Sequence, residues 1–123
     1  MPNYLAVASY TPEGLKALLE TGGTARRAAV EKMLESLDGH LKAFYFAFGE
    51  NDAYLIVDLP DNLAAAAISL AVAAAGAVRT KTIVLLTPEE MDQVAERPAE
   101  YEPPKPGVTT VRRRPVRTRP KRR

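Results

Sequence analysis

Three tyrosines and one aspartate on predicted strands carry the polar groups best placed for chemistry in this sequence. Tyr4, Tyr45 and Tyr54 lie in short apolar and aromatic runs that are typical of β-strands. Asp58 follows Tyr54 by four residues, so strand alternation puts both side chains on one face of a sheet. If that face lines an apolar pocket, these four side chains are its ligand-binding polar groups, and Asp58 is a candidate general base.

The single histidine, His40, is the other candidate proton acceptor. The chain has no cysteine, which excludes a disulfide, a thiolate metal ligand and a cysteine nucleophile. One histidine without a cluster of carboxylates does not predict a metal site. Gly22-Gly23 lacks the spacing of a phosphate-binding loop and follows a predicted helix rather than a strand. We therefore expect no metal and no cofactor, and any catalysis through Asp58 or His40 would be cofactor-free.

Residues 98–123 differ from the rest of the chain in charge and composition. Residues 1–97 carry 8 Lys and Arg against 13 Asp and Glu, a net charge of −5, whereas residues 98–123 carry 9 against 2, a net charge of +7. The second segment holds 6 of the 10 prolines and few apolar residues, which predicts a disordered Pro/Arg-rich basic tail. Such a tail contacts nucleic acid, an acidic protein, the acidic part of another copy or an anionic membrane surface, or it serves only to keep the chain soluble. Its candidate polyanion-binding residues are Arg112, Arg113, Arg114, Arg117, Arg119, Lys121, Arg122 and Arg123.

Cap and turn residues divide residues 1–97 into strands and helices. Thr11, Asp61 and Thr87 are placed to begin helices, and Gly76 is placed to end one. The predicted strands are Asn3–Tyr10, Leu41–Phe48, Ala53–Leu59 and Lys81–Leu86. The order of elements predicts an α+β, ferredoxin-like βαββαβ domain with a closing helix. Its four-stranded antiparallel sheet would carry the two long helices on one face.

The second and third predicted strands are apolar on both faces. In the second strand, Phe44, Phe46 and Phe48 alternate with a set that is also mostly apolar, namely Leu41, Ala43, Tyr45 and Ala47. An antiparallel sheet with one face in water alternates apolar with polar residues instead. Because the helices cover one face only, we expect the other face to pack against the same sheet of a second copy. The resulting homodimer would close an α/β barrel with a partly apolar interior.

The length and hydropathy of the chain limit its organisation. A chain of 123 residues allows one compact domain and little else. The most apolar run, residues 63–78, is too short and too rich in alanine to span a bilayer. Residues 1–10 lack the features of a secretory signal. We therefore expect a cytoplasmic protein without an integral membrane segment.

Five segments of the chain resemble a known family. They are Leu41–Tyr45, Phe48–Asp52, Pro60-Asp61, Ala64–Ala67 and Val78–Thr82. Together they are similar to the GYD-domain family of small bacterial proteins, and the resemblance covers roughly residues 3–95. Gly49 and Asp52 match the family's signature turn, in which Asn51 stands where a tyrosine is usual. The resemblance implies a ferredoxin-like fold of the dimeric α/β-barrel type, without an assigned activity.

Three functional hypotheses follow. The first is a homodimeric GYD-family protein without established catalysis, whose barrel binds a small apolar or aromatic ligand and whose tail contacts a polyanion. The second is a cofactor-free monooxygenase, in which Asp58 or His40 deprotonates a substrate that then reacts with oxygen. The third is a nucleic-acid-associated protein that binds through its tail.

Overall fold

A computed structural model describes residues 1–106 of the chain. The candidate polyanion-binding residues, from Arg112 to Arg123, lie outside the described residues, and their role stays a prediction. The elements are β1 (Asn3–Tyr10), α1 (Pro12–Thr21), α2 (Gly23–Glu35), β2 (His40–Phe46), β3 (Ala53–Asp58), α3 (Asn62–Ala75), β4 (Val78–Leu85) and α4 (Pro88–Ala95).

Residues Met1–Asp92 form one compact unit. Beyond it, residues 93–106 contain the end of α4 and no further helix or strand. No helix within residues 1–106 has both the length and the apolar character needed to cross a membrane.

The four strands form one sheet in the order β2-β3-β1-β4, and all neighbouring strands are antiparallel. This order and the sequence of elements confirm the predicted α+β, ferredoxin-like arrangement. The break between α1 and α2 falls at Gly22, whose φ of 86° lies in the left-handed region that favours glycine.

The predicted cap residues begin and end the helices. The side chains of Thr11 and Asp61 each accept a hydrogen bond from the backbone N–H three residues later, at 3.2 and 2.9 Å. Gly76 ends α3 with a φ of 80°. Thr87 and Glu90 form a reciprocal capping box at the start of α4, with bonds of 2.8 and 3.0 Å. The helix boundaries therefore follow from local chemistry.

The hydrophobic core lies between one face of the sheet and the two long helices. Leu55 and Val57 of β3 pack with Val30 and Leu34 of α2 and with Ala65 of α3, and all five are buried. Helices α2 and α3 therefore cover the same face of the sheet, as the sequence predicts. We call this the covered face and the opposite one the open face.

A β-bulge in β2 changes one predicted side-chain orientation. The pairing of β2 with β3 shifts register between Leu41 and Ala43, so Lys42 is an extra residue on β2. Simple alternation puts Leu41 and Phe44 on opposite faces, and that assignment is wrong because both pack against the core on the covered face. Strand β2 also ends at Phe46, so the fully exposed Phe48 belongs to the following loop rather than to the sheet.

Candidate functional site

A cleft of about 70 Å³ lies between α2 and α3, above the covered face of the sheet. Strands β1, β3 and β4 form its floor, and the two helices form its walls. A single water molecule needs about 10–15 Å³ of such space, so the cleft is several times larger than a void that holds one water molecule. It is partly open to solvent and mainly apolar.

Short side chains on the central strand leave this space. Ala6 and Ala8 of β1 lie on the floor, and Ala65 of α3 lies on one wall. The larger wall residues Ile68 and Val72 flank the space without filling it. Because β1 lies between β3 and β4, its two alanines put the cleft near the middle of the sheet.

Few polar groups enter the cleft. The hydroxyls of Ser69 on α3 and Thr82 on β4, which both line the cleft, lie 3.3 Å apart and share a hydrogen bond. Arg26 of α2 is the only charged residue among those that line the cleft. Its Nε atom is buried and has no hydrogen-bond partner within residues 1–106. The arrangement is an apolar space with one cationic donor group at its lining.

The four predicted ligand-binding residues do not lie together. Tyr4 is 1% exposed on the covered face, where it lines the cleft and donates a hydrogen bond of 2.7 Å from its hydroxyl to Oδ1 of Asn62. Tyr45 and Tyr54 are cross-strand partners on the open face, and Asp58 lies on that same face at the end of β3. The structure therefore brings Tyr45, Tyr54 and Asp58 onto one face of the sheet and Tyr4 onto the other.

The two candidate proton acceptors, His40 and Asp58, are cross-strand neighbours. Nδ1 of His40 lies 3.1 Å from Oδ1 of Asp58, within hydrogen-bond distance, and no other basic and acidic side chains of the described part of the chain lie within 4.0 Å of each other. The side chain of His40 is 71% exposed and that of Asp58 is 21% exposed. Neither residue lines the cleft. That either acts as a general base stays a prediction.

The open face of the sheet carries a group of apolar side chains. Ile56 of β3 and Ile83 of β4 both pair with Leu5 of β1, so the three side chains form one row across the face. Ile56 is 37% exposed and Ile83 is 47% exposed. Tyr45, on the neighbouring row, is 71% exposed. These apolar side chains agree with the prediction of two apolar faces for β3, whereas β4 carries Arg79 and Lys81 on the open face beside Ile83.

The signature turn has a structural role in the sheet. Oδ2 of Asp52 accepts a hydrogen bond of 2.8 Å from the backbone N–H of Tyr10, and the N–H of Asp52 donates to the carbonyl of Ala8 at 2.9 Å. Asn51 lies within 3.3 Å of the Ser9 hydroxyl. The Asp52 carboxylate thus provides a hydrogen-bond acceptor for the backbone N–H of Tyr10, which lies beyond the last residue pair between β1 and β3.

The spacing of residues along α2 indicates which side of the helix carries Arg26. Arg26, Val30 and Leu34 follow one another at intervals of four along α2, and residues with that spacing share one face of a helix. Since Val30 and Leu34 are core residues, Arg26 lies on the buried side of the helix. The hydroxyls of Ser69 and Thr82 have no comparable signal, because only the packing of α3 on β4 brings them together.

The described residues offer no metal centre, since residues 1–106 contain no group of three or more histidine or acidic side chains able to hold an ion. The fold and the cleft together define a small α+β, ferredoxin-like protein with an apolar cleft between its sheet and its helices. The chain belongs to the GYD domain family, whose family model matches residues 4–95. No curated protein and no solved structure gives a significant match.

Proposed function

We propose that this GYD-domain protein binds a small apolar or aromatic molecule in the cleft between α2, α3 and the sheet. The observation that supports this proposal is the space above Ala6 and Ala8, which no side chain fills. Protein interiors are close-packed and contain few voids larger than a water molecule. An apolar cleft with a few convergent polar groups is the usual form of a small-molecule site.

The isoleucines provide a direct test of where a ligand binds. The chain has three, of which Ile68 lines the cleft, while Ile56 and Ile83 lie on the open face. Methyl NMR with isoleucine labelling therefore reports on the two faces separately. We expect titration with 3-phenylpropanamide, a neutral aromatic compound, to shift the Ile68 signal through the ring current of the phenyl group. Shifts confined to Ile56 and Ile83 would instead locate binding in a barrel interior.

Two adjacent alanines of α3 give a matched pair of variants for the same titration. Ala65 is buried and lines the cleft, whereas Ala66 is exposed. Ala65→Leu should narrow the cleft and weaken the Ile68 shift, and Ala66→Leu should leave it unchanged. Ser69→Leu, at a half-buried wall position, is the alternative if Ala65→Leu does not unfold cooperatively. Equal shifts in all variants would contradict binding in the cleft.

We also propose that two copies pair through their open faces as a homodimer. The row of half-buried Leu5 with exposed Ile56 and Ile83 supports this proposal, because apolar side chains on a sheet face gain stability when a second layer covers them. A second copy offers an identical surface, which is the requirement of a two-fold interface.

Sedimentation at micromolar concentration tests the dimer. Ile56→Lys puts a charge on the open face and should give the mass of a monomer. Leu70→Lys is the control, since Leu70 is 71% exposed on α3 rather than on the sheet. A monomeric mass for the unmodified protein, or a dimer that survives Ile56→Lys, would contradict pairing through this face.

A further inference from the structure

Arg26 is held in the cleft without a counter-charge. Within residues 1–106 the only contact within 4.0 Å between a basic and an acidic side chain joins His40 to Asp58, so no carboxylate of the described chain lies that close to the Arg26 guanidinium. No acidic residue lines the cleft. Nε of Arg26 is also the only buried side-chain polar atom of the described residues without a hydrogen-bond partner. A buried donor of a charged group is costly to leave unpaired.

We infer that the ligand of the cleft is an amphipathic carboxylate, with its acid group on Arg26 and its apolar body over Ala6 and Ala8. This inference rests on the proposed function and specifies the chemical class of the ligand. A carboxylate supplies the two acceptor oxygens that match the planar donor pattern of a guanidinium. An organic acid that reaches the guanidinium from the cleft would thus offset its positive charge.

The remaining lining explains why the acid would be amphipathic rather than fully polar. Ile68, Val72 and Val30 flank the cleft, and the alanines of β1 form the floor. The hydroxyls of Ser69 and Thr82 already bond to each other. The apolar body of an amphipathic ligand would contact these apolar walls. The additional charges of a polyanion would instead lose their hydration against them.

The test compares 3-phenylpropanoate with 3-phenylpropanamide, which has nearly the same shape and no charge. Affinities are measured from the Ile68 methyl shift at neutral pH in the full chain. The acid should bind at least about tenfold more tightly than the amide, the size expected for a hydrogen bond to a charged group. Arg26→Met should remove this preference by weakening acid binding alone.

Two further variants separate recognition by Arg26 from a general effect of charge. Arg27 is the next residue on α2, is exposed and does not line the cleft, so Arg27→Met should keep the full preference. Arg26→Lys retains the charge without the planar fork and should keep only part of it. Equal binding of acid and amide by the unmodified protein, or a preference that survives Arg26→Met, overturns the inference and leaves the proposed function in place. No Ile68 shift with either compound overturns both.

Discussion

Replacement of Arg26 by methionine should make the ligand-free protein more stable. Arg26 contributes an apolar stem to the cleft lining and a buried Nε–H that has no partner within residues 1–106. Methionine is unbranched and flexible, so it retains the packing of the stem and removes the unpaired donor. A group kept for binding rather than for folding is expected to cost stability when its ligand is absent.

The structure sets the expected size of this effect. A buried donor left without an acceptor costs about 1–3 kcal/mol. Arg26 as a whole is only partly buried, so its terminal nitrogens retain some contact with water and the lower end applies. We therefore expect the free energy of unfolding to rise by about 1 kcal/mol, which is about 4–8 °C in Tm for a domain of this size.

Urea and thermal unfolding of Arg26→Met and Arg27→Met measure the difference. All proteins are compared at one concentration, because self-association would make Tm depend on concentration. Arg27→Met should stay within about 0.5 kcal/mol of the unmodified protein, as is usual for exposed positions. A fall in stability for Arg26→Met, with Arg27→Met unchanged, would mean that contacts within the fold hold the guanidinium and would refute this reasoning.

Three further substitutions test the fold around the site by urea unfolding. Asp52→Ala should lower the free energy of unfolding by about 1.5–3 kcal/mol, because its carboxylate accepts the Tyr10 N–H; Asp52→Asn keeps an acceptor and should cost clearly less. Tyr4→Phe should cost about 1 kcal/mol through loss of its hydrogen bond, and no loss would mean that this bond adds nothing to stability. Gly39→Ala should cost about 1–3 kcal/mol, since the added Cβ would lie 2.7 Å from the carbonyl oxygen of Asp58; an unchanged Tm would show that the backbone shifts freely there.

The order of the elements could be predicted because the relevant chemistry is local. Thr11, Asp61 and Thr87 cap helices through their own side chains, and Gly76 ends α3 in a conformation that suits glycine. Each of these contacts spans three or four residues along the chain, so the sequence alone contains both partners.

The arrangement of the tyrosines could not be predicted, because it depends on how strands align. Alternation determines which residues of one strand lie on the same face of the sheet. It does not determine which residues of the neighbouring strand lie on that face with them. Tyr4 pairs with Val57 rather than with Tyr54, and this register puts Tyr4 on the covered face. The bulge at Lys42 likewise depends on pairing with β3.

The cleft is a property of tertiary packing. It forms where α2 and α3 lie over the short side chains of Ala6 and Ala8, and nothing in the local sequence gives the spacing of the two helices. Arg26 is the exception, because its interval of four from Val30 indicates the buried side of α2. That spacing indicates the buried side of the helix, but neither a role for Arg26 nor the space beside it was predicted from the sequence.

A crystal structure of the protein grown with 3-phenylpropanoate tests the central claim most directly. We expect the compound between α2 and α3, with its phenyl ring over Ala6 and Ala8 and its carboxylate within hydrogen-bond distance of Arg26. Density for the compound only on the open face beside Ile56, with the cleft closed by side chains, would contradict the account.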